Sequence, residues 1–399
     1  MANTLNLGNG NWATKEDSLL AYNSENGNFK PLPFDFTRAS SATVVNKAGL
    51  IETVGSGEPR IDFSNDAKGA LLLEPTRSNL ITYSEAFDNA YWTKLNATIT
   101  SSNVNAPNGT QSAYTLNATS SYGRIGKYVT YIATDYTLSV FVKKATTSQS
   151  FAAAFSQFGG SDEFSVDINT GVTLSQGSNI LSVSCVSYGN FWRVIATSTR
   201  TVGSAEFRIF AGYPTNISAT IYGAQLEQGS YATSYISTQG SSVTRVADSS
   251  ESVGLQNVVN SSEGVFYFNT KALSSTKDYR ISLSDGSANN RVSFSYSPNV
   301  NTAYCLVQLG GAQVLYNLSV PLTNQTEYKK FAIKWKSGDL AFWVDGAELI
   351  SSNGVFTAGT IDRLRFNDAS GGIGFKAAVK DVRVYSTILT DSELQALTT

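Results

Sequence analysis

The chain has 399 residues, of which 41% are hydrophobic and 15% charged, and its formal charge is −2. It has no basic run of the kind that nucleic-acid binding needs and no apolar run of about 18 residues that would cross a membrane as a helix. The absence of histidine excludes the commonest general base and the commonest zinc ligand. One hydrophobic core usually stops growing below this length, so we expect two or three domains.

Residues 1–33 are polar and carry only one short apolar stretch, residues 19–22. A segment that cannot bury a core of its own commonly docks on something else. We therefore predict an N-terminal attachment segment that contacts another subunit. The alternative is a strand that packs on the next domain. No basic and apolar leader typical of a secretory signal is found.

Residues 34–80 alternate arginines with acids in a background rich in Ser, Thr and Asn. Prolines follow Glu58 and Glu74 and hold both in extended backbone. Planar guanidinium groups suit bidentate pairing with carboxylates, so this stretch predicts a structural clasp. The alternative is a set of solvated surface charges, which contribute little to stability. Two residues further along the chain, Glu227 and Arg245, are added as partners. The predicted clasp therefore comprises Asp35, Arg38, Glu58, Arg60, Glu74, Arg77, Glu227 and Arg245.

A series of short motifs lies in the same stretch: residues 36–40 (FTRAS), 49–52 (GLIE), 59–62 (PRID), 71–75 (LLLEP), 77–80 (RSNL) and 83–85 (YSE). The series resembles one found in virion proteins of tailed bacteriophages, including crAss-like phages. The resemblance implies a structural virion protein, a head or tail fibre or decoration component, with carbohydrate-binding-module-like and concanavalin- or laminin-G-like β-sandwiches. It also implies a location in the virion, and it identifies a structural context rather than a ligand. We separately expect that the protein binds a host-surface or environmental glycan. Other virion proteins would be contacted through the N-terminal segment, and a homo-oligomer, with a trimer favoured, is the default for fibres.

From residue 80 to 248 the chain alternates apolar and polar residues in short runs bounded by Gly, Asn and Ser. Regular runs of this kind predict an antiparallel sandwich or jelly roll. Residues 224–236 resemble the closing segment of the phage carbohydrate-binding-module family, and this resemblance implies that the domain ends after Arg245 and Asp248. We therefore predict that residues 34–248 hold the clasp and a first sandwich.

The strand-like runs of residues 249–399 predict a second β-sandwich, with a tight turn at Asp345 and Gly346. Thr390 and Glu393 have the spacing of a capping box, which predicts a helix over 391–397. The fold class is therefore all-β, with two antiparallel β-sandwich (jelly-roll) domains and an attachment segment. Cys185 and Cys305 lie in different predicted domains within apolar runs, and we expect both to be small core residues rather than a disulfide.

Shallow sugar sites combine an aromatic ring with planar hydrogen-bonding groups. Core packing is the alternative for each such aromatic. Loop-adjacent groups of this type include Tyr122, Gln157, Phe158, Asn190, Asn289 and Tyr296. The predicted carbohydrate-binding residues are Tyr188, Phe191, Trp192, Arg193, Tyr279, Asn290 and Arg291.

Clustered side-chain oxygens suit Ca²⁺, the one cofactor that we consider. The candidate ligands are Asp362, Asn367 and Asp368, with Asp285, Asn289 and Asn290 as a second group. Neither group has the spacing of an EF-hand loop.

Glycoside hydrolysis needs two carboxylates that flank the bond. The nearest acid pairs, Glu16 with Asp17 and Asp162 with Glu163, are adjacent residues whose side chains would diverge in a strand. We therefore predict no catalytic residues and a non-enzymatic protein, with a capsule or polysaccharide depolymerase as the alternative.

Overall fold

The computed structural model describes residues 4–10, 12, 14–15, 18–23, 28–64, 66–155, 160–211 and 217–399. The chain forms two compact units. The first contains Met1–Ser41, Val54–Pro75 and Val246–Thr399, and the second contains Ala42–Thr53 and Thr76–Arg245. This division differs from the predicted boundaries at 33 and 248, because part of the N-terminal residues and 54–75 belong with the C-terminal residues.

The strands of the first unit are β1 Thr4–Gly8, β2 Thr14–Lys15, β3 Ser18–Asn23, β4 Asn28–Thr37, β7 Ile61–Asp62, β8 Ala70–Leu73, β23 Ser249–Val253, β24 Glu263–Ala272, β25 Tyr279–Ser284, β26 Arg291–Tyr296, β27 Thr302–Leu309, β28 Ala312–Pro321, β29 Lys329–Lys336, β30 Leu340–Val344, β31 Ala347–Ser352, β32 Arg363–Arg365 and β33 Ala377–Tyr385. Its helix is α1, Asp391–Thr398.

The strands of the second unit are β5 Ala42–Val45, β6 Ile51–Val54, β9 Arg77–Asn79, β10 Thr93–Leu95, β11 Ala97–Ser101, β12 Tyr114–Ala118, β13 Arg124–Tyr131, β14 Thr134–Lys143, β15 Ser150–Ala154, β16 Glu163–Asp167, β17 Thr173–Gln176, β18 Ile180–Tyr188, β19 Phe191–Arg200, β20 Gly203–Phe210, β21 Ser218–Gln228 and β22 Val243–Arg245. All pairings in both units are antiparallel where the structure describes them, as the sequence predicts for an all-β chain.

The first unit has two layers. One runs β2, β3, β1, β33, β24, β29, β30, β31, with β8 and β7 beside the start of β33. The other runs β4, β23, β32, β25, β26, β27, β28. β27 shows why these residues form a sandwich, because every second side chain of TAYCLVQL is buried. These buried residues join Phe268, Phe294 and Phe331 in one core.

The N-terminal strand belongs to this core. β1 pairs with β33 from Thr4 opposite Tyr385 to Gly8 opposite Asp381, and Leu5 and Leu7 are buried. The described residues 4–8 therefore pack as a strand, as in the alternative, but against residues 381–385 of the last predicted domain and not against the next one. Its docking on another chain stays a prediction.

Two local predictions in the first unit are confirmed. Helix α1 begins after Thr390, whose hydroxyl accepts a hydrogen bond from the Glu393 N–H while the Glu393 carboxylate accepts one from the Thr390 N–H. Asp345 and Gly346 connect β30 and β31 with φ values of 47° and 85°, the left-handed conformations that a two-residue hairpin turn requires.

The second unit is a sandwich of two six-stranded sheets. Their orders are β10-β13-β20-β15-β16-β17 and β11-β12-β21-β14-β19-β18. Leu138 and Val140 from one sheet and Phe207 and Ile209 from the other lie in a single apolar core. Both cysteines of the chain are free thiols, and Cys305 is buried while Cys185 is half-buried against a core.

No helix among the described residues has the length and apolarity to cross a membrane.

Candidate functional site

The predicted clasp is present in the first unit as an enclosed charge cluster of Arg38, Arg60, Glu74 and Asp248. The Arg60 Nη1 lies 2.7 Å from the Glu74 Oε2, and its Nη2 pairs with Asp248. The Arg38 Nη1 lies 3.1 Å from the other Asp248 oxygen. Burial lowers the pKa of Arg60, but Glu74 and Asp248 outweigh this and raise it, so the guanidinium stays charged. Two cations and two carboxylates thus neutralise one another inside the unit.

Asp248 binds both arginines of the cluster. From the sequence it is recognised only as a residue at the end of a predicted domain, and not as a member of the clasp. Asp35 is exposed, and Glu58 serves Arg38 through its backbone carbonyl, which accepts from the Arg38 Nη1 at 2.9 Å. The Glu58 carboxylate instead accepts a hydrogen bond from the Gly55 N–H. Of the predicted acids, neither the Asp35 nor the Glu58 carboxylate forms an ion pair with Arg38, whose carboxylate partner is Asp248.

The other predicted clasp residues form a separate group in the second unit. Glu227 is buried and lies 3.6 Å from the Arg77 Nε. Its carboxylate also accepts hydrogen bonds from the N–H and hydroxyl of Thr233. Arg245 donates to the hydroxyls of Thr233 and Ser234. The prediction of one clasp is thus corrected to two groups, one inside each unit.

Three of the predicted sugar-contacting residues are core residues. Phe191, Arg193 and Tyr279 have 2%, 4% and 6% of their surface exposed. Arg193 donates two hydrogen bonds to the Ser139 hydroxyl below the surface. Phe191 and Tyr279 pack in hydrophobic cores, and the Arg193 guanidinium is already bonded to Ser139, so these three residues are not part of the candidate site.

The remaining predicted residues have protein partners. The Trp192 ring is contacted by the Lys144 ammonium, 4.3 Å from its centre, and its indole N–H donates to the Ile168 carbonyl. Tyr188 packs edge-on against Phe141.

Asn290 and Arg291 lie beside β26 in the first unit. Asn290 bridges Asp285 and the Gly310 N–H, and Arg291 donates to Gln308. Each therefore has a structural role. The predicted residues Gln157 and Phe158 and the acid pair Glu16 and Asp17 lie outside the described residues.

Two of the predicted calcium ligands already have partners within the protein. The Asp362 carboxylate pairs with Arg363, and the Asp368 carboxylate accepts hydrogen bonds from its own loop at Gly372 and Ser370. Charge from Arg280 lowers the pKa of Asp368 in addition to these hydrogen bonds, against the effect of burial. The Asn367 amide oxygen is buried without a hydrogen-bond donor among the described residues. Calcium binding at this group stays a prediction. Within the described ranges, no group of three His, Cys, Asp or Glu residues is placed to hold a metal.

The second unit carries a different cluster on the outer side of its β13-β20-β15-β16 sheet, which we call the polar face. Its members are Tyr122, Arg124, Glu163, Glu206 and Arg208. They share this side because residues two apart in a strand point the same way, opposite the core residues Ile125, Phe164, Phe207 and Ile209.

Strand register sets the spacing of the polar face. Arg208 lies opposite Gly126 on one side and Ala154 on the other, and Ala154 lies opposite Glu163. The protein itself occupies the space beside these small residues, because the Glu206 side chain covers Gly126 and Tyr122 packs against Ala154. The Glu206 Oε2 is 2.6 Å from the Arg208 Nε and 3.7 Å from the Arg124 Nη2.

Several polar atoms of this face lack partners. The Arg208 Nη1, the Glu163 Oε1 and the Arg124 Nε are buried without a hydrogen bond in the part of the chain that the structure describes. Burial lowers the pKa of Arg124, and the nearby Arg208 lowers it further against the opposing effect of Glu206. Buried polar atoms without partners cost free energy, and a ligand is one way in which that cost is offset.

Tyr122 adds an aromatic ring and a strained backbone. It packs partly buried against Ala152, Ala154 and Phe210, and its φ is 62°. A bulky residue in the left-handed region is uncommon and is found most often where function demands a fixed geometry. Tyr122 was among the loop-adjacent aromatics singled out from the sequence.

The charged members of the polar face were missed because they come from three strands that are distant in sequence. The available signal was alternation, since Glu206 and Arg208, like Glu163 and Ser165, are charged or polar at every second position of apolar strands. Alternation indicates a shared face of one strand and gives no information about which strands are neighbours.

No protein-family profile matches the chain, and no curated protein matches it. Among solved structures it is similar to the CBM40 module of Ruminococcus gnavus IT-sialidase bound to α2,3-sialyllactose, at 13% identity over 35% of this chain and 83% of that chain, with a TM-score of 0.28. It is also similar to domain 4 of AbnA, a GH43 extracellular arabinanase from Geobacillus stearothermophilus in complex with arabinotriose, at 15% identity over 43% and 81% of the two chains, with a TM-score of 0.31. Domains LG4-5 of the mouse laminin α1 chain match at 9% identity over 63% and 81%, with a TM-score of 0.23. Scores of this size carry no argument about ligand or reaction.

Proposed function

We propose that the chain is a glycan-binding protein whose polar face receives the saccharide. The observation that carries this proposal is the pair of buried, unpartnered atoms, Arg208 Nη1 and Glu163 Oε1, which lie on one face beside the half-buried ring of Tyr122. A guanidinium donates to sugar hydroxyl oxygens and a carboxylate accepts from hydroxyl protons. A ring beside them packs against the apolar face of a pyranose.

We further propose that the protein acts as a structural component of a phage virion, as a head or tail fibre or decoration protein. Support for this setting comes from the motif series between residues 36 and 85. In the virion, the N-terminal segment would contact other virion proteins, and a homotrimer would present three polar faces to a cell-surface glycan. Labelling the protein in purified virions tests the setting, and its absence from particles would contradict it.

The polar face is tested by removing its charge pair without changing net charge. Glu206→Gln with Arg208→Gln should weaken binding of whichever glycan the parent selects from an array by about tenfold or more, because hydrogen bonds from charged groups contribute about 1.5–3 kcal/mol each. A matched control is Asp278→Asn with Arg280→Gln, which removes another acid–arginine pair two residues apart, in the first unit. Equal binding by both double variants would contradict the site.

A depolymerase remains the second candidate, because Glu163 and Glu206 lie on one face, unlike the adjacent acids of the sequence. Two carboxylates that flank a glycosidic bond are the minimum for hydrolysis. The binding protein and the depolymerase are distinguished by an incubation experiment. The parent and the Glu163→Gln variant are each incubated with a glycan that the array identifies. Sustained release of reducing ends by the parent, lost in Glu163→Gln, would replace the binding proposal with a hydrolase.

A further inference from the structure

A cleft of about 470 Å³ lies on the first unit, on the outer side of its β33-β24-β29 strands. Six ionisable residues line it: Lys68, Lys330, Lys380, Arg383, Asp66 and Asp381. Four cations against two carboxylates leave a local excess of two positive charges in a chain whose formal charge is −2. The cleft therefore attracts anions, although the chain as a whole carries a small negative charge.

The strand register explains why these groups meet. Lys330 lies opposite Asn269, and Asn269 lies opposite Asp381, so the three side chains form a row across β29, β24 and β33. Tyr267 and Arg383 form the next row. These positions alternate with core residues such as Phe266 and Phe268, so they point away from the core.

The charges of the cleft are unequally compensated. Arg383 pairs with Asp381 at 2.7 Å and Lys380 pairs with Asp66 at 2.8 Å. The Lys68 ammonium donates to the Asn9 amide oxygen, which is neutral. The Lys330 ammonium has no ion pair or hydrogen bond to any residue that the structure describes. Lys68 and Lys330 therefore carry the uncompensated positive charge, and both lie near enough to Asp381 to lower its pKa, although burial outweighs them and raises it.

The cleft also offers acceptors. The Asn269 amide oxygen is buried without a hydrogen-bond donor within the described ranges, and the Asp381 carboxylate faces the same row. A ligand with only acceptor oxygens, such as sulfate, would leave these acceptors without donors. A ligand that carries hydroxyl groups would donate to them. Ala396 and Leu397 add a small apolar wall from the end of α1.

We propose that this cleft binds an acidic saccharide, with the sugar carboxylate held by Lys330 and Lys68. A ring hydroxyl donates to the Asn269 amide oxygen, and the C–H face of the sugar packs against Ala396 and Leu397. The inference is independent of the polar face, since all its residues belong to the first unit.

Calorimetric titration of the full chain with a galacturonate oligosaccharide tests the proposal. The work uses the Glu206→Gln, Arg208→Gln background so that the polar face does not contribute. We expect saturable binding that weakens as salt is added. A neutral galactose oligosaccharide of equal length should bind at least about tenfold more weakly, because it lacks the charge-assisted hydrogen bond. Sulfate that binds as tightly as the saccharide, or equal binding of the neutral sugar, would overturn the proposal.

Two variants localise the binding. Lys330→Gln should weaken binding of the galacturonate about tenfold, whereas Lys336→Gln, on the same strand and paired with Glu263, should leave it unchanged. Asn269→Ala should weaken it by a smaller factor, since a neutral hydrogen bond is lost. An unaltered thermal unfolding midpoint in Lys330→Gln separates loss of binding from loss of fold. Equal affinity in Lys330→Gln and the parent would contradict the site.

Discussion

The enclosed charge cluster of the first unit and the polar face of the second contain the same groups, two arginines and two acids. In the first, both carboxylates are bound by arginine, and Asp248 bridges Arg38 and Arg60. In the second, Glu206 is bound by arginine, while one oxygen of Glu163 and one nitrogen of Arg208 have no partner among the described residues. The comparison teaches that residue composition does not separate a structural cluster from a binding face. The two differ in the pairing of their carboxylates, since Glu74 and Asp248 are both bound by arginine whereas one oxygen of Glu163 is not bonded within the described residues.

The largest effect should follow from breaking the enclosed cluster. Arg60→Ala leaves Glu74 without its arginine and removes one of the two arginines that bind Asp248 inside the protein, so we expect the free energy of unfolding of the first unit to fall by about 3–5 kcal/mol. The change in unfolding free energy is measured by hydrogen exchange at increasing urea concentration, in peptides from β25 to β27. An unfolding free energy within about 1 kcal/mol of the parent would mean that these charges are not enclosed.

Arg77→Ala should have an intermediate effect, confined to the second unit. Glu227 loses one cation but keeps the N–H and hydroxyl of Thr233 as donors, so the expected loss is about 1–3 kcal/mol. The readout is hydrogen exchange on peptides from β14 and β19, with β25 to β27 as the internal control. A loss that appears in the first unit instead would contradict the assignment of this pair.

Tyr122→Gly tests the polar face, the second member of the comparison. Glycine relaxes the positive φ of residue 122, so we expect little change in the unfolding midpoint, while removal of the ring should weaken glycan binding severalfold. Tyr122→Phe keeps the ring and should retain most of the binding. If Tyr122→Gly bound as well as the parent, the ring would have only a packing role.

The smallest effect concerns pH. The hydrogen bond from Lys380 lowers the pKa of Asp66 in the folded protein. Stability from this pair is therefore present above the unfolded-state pKa of about 3.9 and is lost as the pH falls through the lower folded value. Asp66→Asn should flatten the acid slope of first-unit stability between about pH 4 and pH 2. An unchanged slope would show that the pair is solvated.

Much of the fold was predictable because its signals are local. Alternating residues marked the strands, Thr390 with Glu393 marked the helix, and Asp345 with Gly346 marked a turn. Pairing of Arg60 with Glu74 was also accessible, since they are near in sequence and both belong to the arginine-rich stretch.

Partners that are distant in sequence were not predictable from these signals. Pairing of β1 with β33 joins the two ends of the chain, and Asp248 joins Arg38 from 210 residues away. The polar face depends on β13, β20, β15 and β16 being neighbours, which alternation does not specify. Burial of Phe191 and Tyr279 was likewise hidden, because a core aromatic and an exposed aromatic look alike in a strand pattern.

Hydrogen exchange of the full chain, with and without a glycan identified on an array, tests the central claim most directly. The account predicts that the ligand slows exchange in peptides covering Glu163–Asp167 and Gly203–Phe210, and that peptides covering residues 54–64 and 70–75 of the enclosed cluster are unchanged. Protection of the cluster peptides with none on β16 and β20 would contradict it, because the clasp arginines would then belong to the binding surface and the polar face would not.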